Sequence, residues 1–259
     1  MHGKILTIAL AVVLGAGLAT IQGVTQQQQP PQLTIEKVKD DIYNIVGDGG
    51  NVAVLVTSEG VILVDDKFEQ DHDAIMEKVK SVTNQPVKYV FTTHYHADHV
   101  GGVLSAPNFP ALARKTIITT DTAVCLVNTP HRPHLKLSAE AIQHFIVLDY
   151  PSCYPVAPGI VLIKAAGHSP DSQMVFIRLQ SGKEILHSVD SAWIMDNIRH
   201  VKGKAAPWVK EDVPAVTAQL RWLKRVHETE RTITILVTHD DELFASVTNC
   251  GIVGGELAL

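Results

Sequence analysis

The sequence predicts an α/β protein in which two β-sheets pack face to face and carry helices on their outer faces. Two observations point there. Short apolar, β-branched runs recur in both halves of the chain, and amphipathic helical stretches lie between and after them. Residues 51–57 and 61–65 are two such runs joined by Ser58-Glu59-Gly60, a hairpin signal. Ile75, Val79 and Val82 then fall on one face of a helix that Asn84-Gln85-Pro86 stops. Residues 87–91 form a short buried strand running into Thr92-Thr93. Residues 117–119 and 145–148 are further strands, separated by a stretch rich in proline and histidine with no readable period. The short-strand pattern returns at 160–164, 174–179 and 184–187. A helix over 212–228 places Val213, Val216, Leu220 and Leu223 on one face. Residues 232–237 make the last strand, and 241–248 a closing helix. No repeat of solenoid period is present.

Composition narrows the function. The 259 residues are 46% apolar and 19% charged, the profile of a packed domain. A net charge of −5 supplies no basic field for nucleic acid or anionic lipid, so a small-molecule substrate is the expected partner. Histidine is abundant, at 13 residues, which puts metal binding first among the chemistries to test. Cys125, Cys153 and Cys250 are too few for a thiolate zinc finger and leave three choices for a single disulfide.

The chain opens with Met1-His2-Gly3-Lys4 and an apolar run over 5–19. One positive charge, a short apolar stretch and the small residues Gly17 and Ala19 fit a secretory signal cut after about residue 19. The run falls short of the ~20 residues that span a bilayer. Residues 1–19 are therefore expected to be a signal peptide, the mature protein periplasmic or secreted, with no stable membrane partner after cleavage. Residues 20–32, which include QQQQPPQ, read as a Gln/Pro-rich spacer. No second linker follows, so 33–259 reads as one domain.

The densest chemical signal is Thr93-His94-Tyr95-His96-Ala97-Asp98-His99-Val100-Gly101-Gly102, which leaves the strand at 87–91. In an extended backbone side chains alternate, so His94 and His96 are expected to point to one side, where both can bind one ion. Asp98 and His99 are expected on the following turn, aimed at a second position. Gly101-Gly102 lets the backbone turn tightly after them. Further single donors follow later strands: His168 in Gly167-His168-Ser169-Pro170, Asp190 in Val189-Asp190-Ser191, and His239 in Thr238-His239-Asp240. Each is weak alone, but all share the strand-end position of the first segment.

H-x-H-x-D-H, then Gly-His, a strand-end Asp and a final His, resembles the metal-binding series of the metallo-β-lactamase fold superfamily across about residues 33–259. The resemblance implies an αββα sandwich of two mixed β-sheets and two Zn²⁺ ions per chain, with iron, manganese or cobalt as other occupants. It implies that one zinc takes His94, His96 and His168, the other Asp98, His99 and His239, and that Asp190 bridges them. Asp65, ending the run at 61–65, matches the family's early aspartate, which supports the ligand loop from behind.

Such a pair supplies a metal-bridging hydroxide as nucleophile, since two metals lower the pKa of water from 15.7 toward ~7. Asp98, besides ligating, is expected to orient that hydroxide. A carboxylate at position 190 departs from β-lactamases that place a thiolate there and is typical of lactonases, glyoxalase-type thioesterases and phosphodiesterases of the fold. The segment His187-Ser188-Val189-Asp190-Ser191-Ala192-Trp193 resembles the N-acyl-homoserine lactonases, whose tyrosine three residues after the bridging aspartate is here Trp193. Its one N–H is free to meet a developing oxyanion and its ring to wall the substrate. The leading expectation is an exported zinc hydrolase of lactones or other esters. A metallo-β-lactamase and a metal-binding protein without catalysis are the alternatives. His131 and His134 read as surface residues, and His72, His144, His187, His200 and His227 as structural or exposed.

Overall fold

In the computed structural model, residues 32–105, 107–129, 137–206 and 208–239 are described, and their strands divide between two sheets. The first holds β1 (Thr34–Lys39), β2 (Ile42–Val46), β3 (Val52–Thr57), β4 (Gly60–Val64), β5 (Val87–Phe91), β6 (Thr116–Thr119) and β7 (Ile146–Leu148) in sequence order. Its strands pair antiparallel as far as β4 and parallel from there to β7. The second holds β8 (Cys153–Ala157), β9 (Ile160–Lys164), β10 (Gln173–Arg178), β11 (Glu184–His187) and β12 (Ile233–Leu236), ordered β12-β11-β10-β9-β8. Only β11–β12 is parallel in it. Both sheets are mixed, as expected.

Alternation along the strands builds three apolar layers. Ile62 and Val64 of β4 face the second sheet, meeting Leu162, Val175, Ile177 and Ile185. Val61 and Leu63 of the same strand face outward onto Ile75 and Val79 of α1 (His72–Val82) and onto Val100 and Val103 of α2 (Ala97–Leu104). A strand covered on both faces reads as a continuous apolar run, which is why Gly60-Val61-Ile62-Leu63-Val64 stood out. Leu126 of α3 (Thr120–Asn128) joins that outer layer, followed in the chain by the short α4 (Ala139–Ile142). On the far side, Met174 and Leu186 pack against Ile198 of α5 (Met195–His200) and Val216, Leu220 and Leu223 of α6 (Val213–Thr229). The Asp212 carboxylate caps α6 by accepting from the Ala215 N–H at 3.0 Å, with Pro214 in the first turn. Val213, expected on the buried face, is 62% exposed at the first position of the helix.

The expected hairpin, α1, β5 and β9 stand where the sequence placed them. The stretch without readable period holds α3 and α4, and β1, β2 and β8 are additions. Cys125 and Cys153 are free thiols, and Cys250 lies outside the described residues. So do the leader at 1–19, the spacer apart from Gln32, the closing helix at 241–248, His131 and His134. No described helix is long and apolar enough to cross a membrane.

The sheets are joined at one end by polar contacts. Gln173, first residue of β10, donates from its backbone N–H to Thr93 O at 3.0 Å and from Nε2 to Thr92 O at 2.7 Å. Its Oε1 accepts from the Tyr150 hydroxyl. The Asn51 N–H donates to Thr238 O at 2.8 Å.

Candidate metal centre

The same end gathers the donors. β4 and β5 run parallel, so Asp65 and the segment from Thr92 leave them side by side. β9, β11 and β12 share one direction in the other sheet, so the turns carrying His168, Asp190 and His239 emerge facing them. All seven expected donors come together. Ligand atoms of His94, His96 and His168 lie within 4.8 Å of one another, and so do those of Asp98, His99 and His239. In the first cluster, His96 Nδ1 stands 3.0 Å from His94 Nε2 and 3.1 Å from His168 Nε2. Asp190 sits between the clusters. Its Oδ2 is 3.3 Å from His168 Nε2, while its Oδ1 is 3.4 Å from His99 Nε2 and 3.5 Å from His239 Nε2.

Two details differ from the sequence reading. Asp98 and His99 occupy the first turn of α2, with His96 at its N-cap, rather than a free turn. Gly101 and Gly102 are therefore helical, and their role is close approach: a Cβ on Gly102 would lie 2.5 Å from Asp66 O, and one on Gly101 2.8 Å from Glu69 N. The helix can press onto the loop after β4 only without side chains at these positions.

That loop holds the donors from behind. Asp65 has φ 71°, a strained conformation for a non-glycine residue, and spends its carboxylate on three bonds. Oδ1 accepts from the Thr93 N–H and Oδ2 from Thr93 Oγ1, each at 2.7 Å, and Oδ2 also meets His99 Nδ1 at 2.7 Å. The last bond leaves His99 Nε2 aimed at the centre. Lys67 is fully buried. Its ammonium donates to Gly50 O at 2.7 Å and to Gly47 O, fastening the glycine loop 47–50 against His99 and Asp98. Asp66 pairs with His72 at 2.9 Å, so His72 is structural.

Around Asp190 the structure adds partners that sequence reasoning missed. Thr238 Oγ1 donates to its Oδ1 at 2.6 Å and Trp193 Nε1 to its Oδ2 at 2.7 Å. The Trp193 N–H is thus committed to Asp190 instead of standing free for an oxyanion. Its ring stacks at a tilt on His239, centroids 5.0 Å apart. Lys204, Glu211 and Gln219 also reach the ligand turns; no motif marks them. His187 had a readable signal, since period two places it inward with Ile185. It is buried without a hydrogen-bond partner for either ring nitrogen among the described residues, and burial pushes its pKa down to about 4.

The donor chemistry fits a metal. Tetrahedral donors at ~2.0–2.1 Å from zinc stand about 3.3 Å apart, close to the imidazole spacings here. Burial, then neighbouring imidazoles, lowers the pKa of His94 well below its ordinary value and that of His96 to about 4, so both present lone pairs. Burial opposes the charge on Asp190, but His99, His239 and His94 outweigh it and hold the carboxyl well below its usual range. Burial likewise opposes a charged His99, yet Asp98, Asp190 and Asp65 raise its pKa well above the ordinary value: the surplus negative charge calls for a cation. Among the described residues, His99 Nε2 and His239 Nε2 are buried without a hydrogen-bond partner, as ligand atoms would be.

A cavity of about 600 Å³ opens over the clusters, walled by Phe68, Tyr95, Leu126, Trp193, Trp208 and Val209. A larger opening of about 940 Å³ lies between the sheets toward the β3–β4 turn, away from the donors.

A sequence model of the Metallo-beta-lactamase superfamily matches residues 45–108, the stretch from β2 through α2 that contains H-x-H-x-D-H. The N-acyl homoserine lactonase AiiA of Bacillus thuringiensis subsp. kurstaki is 26% identical over 174 residues, covering 66% of this chain and 64% of that protein. The chain thus spans a little under two thirds of the length of the Bacillus lactonases it matches. A type 2 metallo-β-lactamase of Elizabethkingia meningoseptica is 30% identical over 131 residues, 46% of this chain and 51% of that protein. A solved structure of a B. thuringiensis AiiA variant, with N-decanoyl-L-homoserine bound at its active site, aligns with a TM-score of 0.59 at 22% identity, covering 78% of this chain and 85% of that one. The chain has the metallo-β-lactamase fold, and the stretch matched by the superfamily model carries four of the seven donors, His94, His96, Asp98 and His99.

Proposed function

We propose that the protein is a dinuclear zinc hydrolase whose substrates are small esters, lactones foremost. The observation that carries this reading is Asp190, one carboxylate whose two oxygens face two separate donor clusters. His94, His96 and His168 would hold one ion and Asp98, His99 and His239 the other. When bound, such ions polarise a carbonyl and acidify water. The chain's own residues do the rest. Asp98, 24% exposed toward the cavity and 3.5 Å from His99 Nε2, is placed to accept the proton of the attacking water and return it to the leaving alkoxide. Trp193, Phe68, Tyr95 and Trp208 wall the apolar body of the substrate and exclude water from it. The lactonase names of the relatives favour a cyclic ester, and so does a carboxylate at position 190.

The test is a hydrolysis panel on zinc-loaded protein: homoserine lactones, other lactones, thioesters, phosphodiesters and a chromogenic cephalosporin. Lactone turnover with metal content near two equivalents is expected. Turnover confined to the cephalosporin would make the protein a β-lactamase, and metal content near zero would remove the reading.

We also infer export, from the leader at 1–19. N-terminal sequencing of protein recovered outside the cytoplasm should begin near residue 20. Soluble cytoplasmic protein with Met1 intact would reverse the assignment.

A further inference from the structure

The turns carrying His168 and Asp190 belong to different strand connections, yet side chains from residues 204–219 tie them together twice. The first tie is ionic. Lys204, its side chain 2% exposed, donates from Nζ to Asp190 O at 2.6 Å and pairs with Glu211 Oε2 at 2.7 Å. The same Glu211 oxygen lies 3.4 Å from His168 Nδ1, long for a hydrogen bond but with charge to steer the ring. The second tie is neutral. Gln219 donates from Nε2 to Ala166 O at 2.8 Å, and its Oε1 accepts from Ser191 Oγ at 2.8 Å. The Asp212 N–H adds a backbone bond to Gly167 O at 2.8 Å.

We propose that Lys204, Glu211 and Gln219 are positioning residues that fix the His168 tautomer and the spacing between His168 and Asp190. A proton on Nδ1, facing the Glu211 carboxylate, leaves the Nε2 lone pair directed at the donor cluster. Gln219 sets the distance without touching the ring. The proposal rests on the metal-centre reading above. It assigns work to three residues that do not line the cavity.

Nitrogen-15 shifts of the His168 ring in the metal-free full chain read the tautomer directly. The Nδ1–H form is expected in the unmutated protein and a mixed or Nε2–H ring in Glu211→Leu. Zinc affinity, measured by competition with a chelating dye, should fall about 10–100-fold in Glu211→Leu and largely recover in Glu211→Gln, whose amide oxygen still accepts from Nδ1–H. Gln219→Leu should weaken zinc while leaving the tautomer unchanged. Because Glu211→Leu strands a buried ammonium, the double change Lys204→Met/Glu211→Leu provides a variant without an unpaired charge, and it should show the same two effects. An Nε2–H ring in the unmutated chain overturns the proposal, as does unaltered zinc affinity in the folded double variant. A chain that binds no zinc at all sinks the metal centre itself. One that binds zinc but ignores Glu211 sinks only this inference.

Discussion

Replacing Asp190 with alanine is expected to drop metal content below two equivalents and turnover by more than about 100-fold, with the fold retained. Loss of a partner that merely orients a ligand typically costs 10–100-fold. Asp190 is shared between two clusters, so its loss should exceed that range. Its Oδ2 faces His168, its Oδ1 faces His99 and His239, and both also accept from Trp193 and Thr238. The alanine removes the one negative charge common to His99, His168 and His239. The fold should survive, because Asp190 lies in a turn outside the three apolar layers, and its backbone carbonyl still accepts from Lys204. Metal analysis, a circular-dichroism melt and rates on the best substrate of the panel check this together. Two full equivalents with most of the rate retained would show that Asp190 is no ligand.

Gly50→Ala should damage one donor cluster directly. An added Cβ would stand 2.4 Å from His99 Cε1 and 2.6 Å from Nε2, distances that real Cβ atoms do not adopt. Neither side can yield freely. Asp65 grips His99 at Nδ1, and the Lys67 ammonium grips the Gly50 carbonyl. If His99 swings, the Asp98–His99–His239 cluster loses its central donor. If the loop moves, a buried ammonium loses its acceptors. Overpacking of this kind costs about 1–3 kcal/mol. Expected are that loss in denaturant melts and a stepwise metal titration in which one equivalent weakens, while the His94–His96–His168 cluster keeps the other. Gly203→Ala, where nothing lies within 4 Å and φ is unstrained, is the control and should change neither. Equal melting and titration of Gly50→Ala and the control would show that the loop gives way without cost.

What the sequence disclosed follows from physical scale. Donors packed into six residues, and strands covered on both faces, leave dense local patterns; β5 stands at 87–91 as read. β1, Thr-Ile-Glu-Lys-Val-Lys, is an edge strand with a single buried residue, Val38, so no run of apolar residues announces it. α2 was hidden because two glycines weaken helix propensity, while the contacts with Asp66 and Glu69 that require them are made across the fold. Lys204, Glu211 and Gln219 are ordinary polar residues in sequence. Only their meeting with Asp190, His168 and Ala166 distinguishes them, and a pairwise contact across 14 to 53 positions has no linear signature.

The donor clusters draw on both sheets: His94, His96, Asp98 and His99 follow β5, whereas His168, Asp190 and His239 follow β9, β11 and β12. An ion held there is therefore a clasp across the sandwich, closing what Gln173 and Asn51 hold with hydrogen bonds. Binding to the closed form alone stabilises it by RT ln(1 + [L]/Kd), about 2.7 kcal/mol at a hundredfold excess over Kd. Scarcity of metal would then be felt first as a loosened seam between the halves, exposing the apolar layer around Val64, Phe91 and Val175 to proteases and to other chains. On this arrangement the centre would serve as a latch on its own scaffold, and the protein's lifetime in a metal-poor compartment would be set by the same seven side chains that are placed to hold the ions.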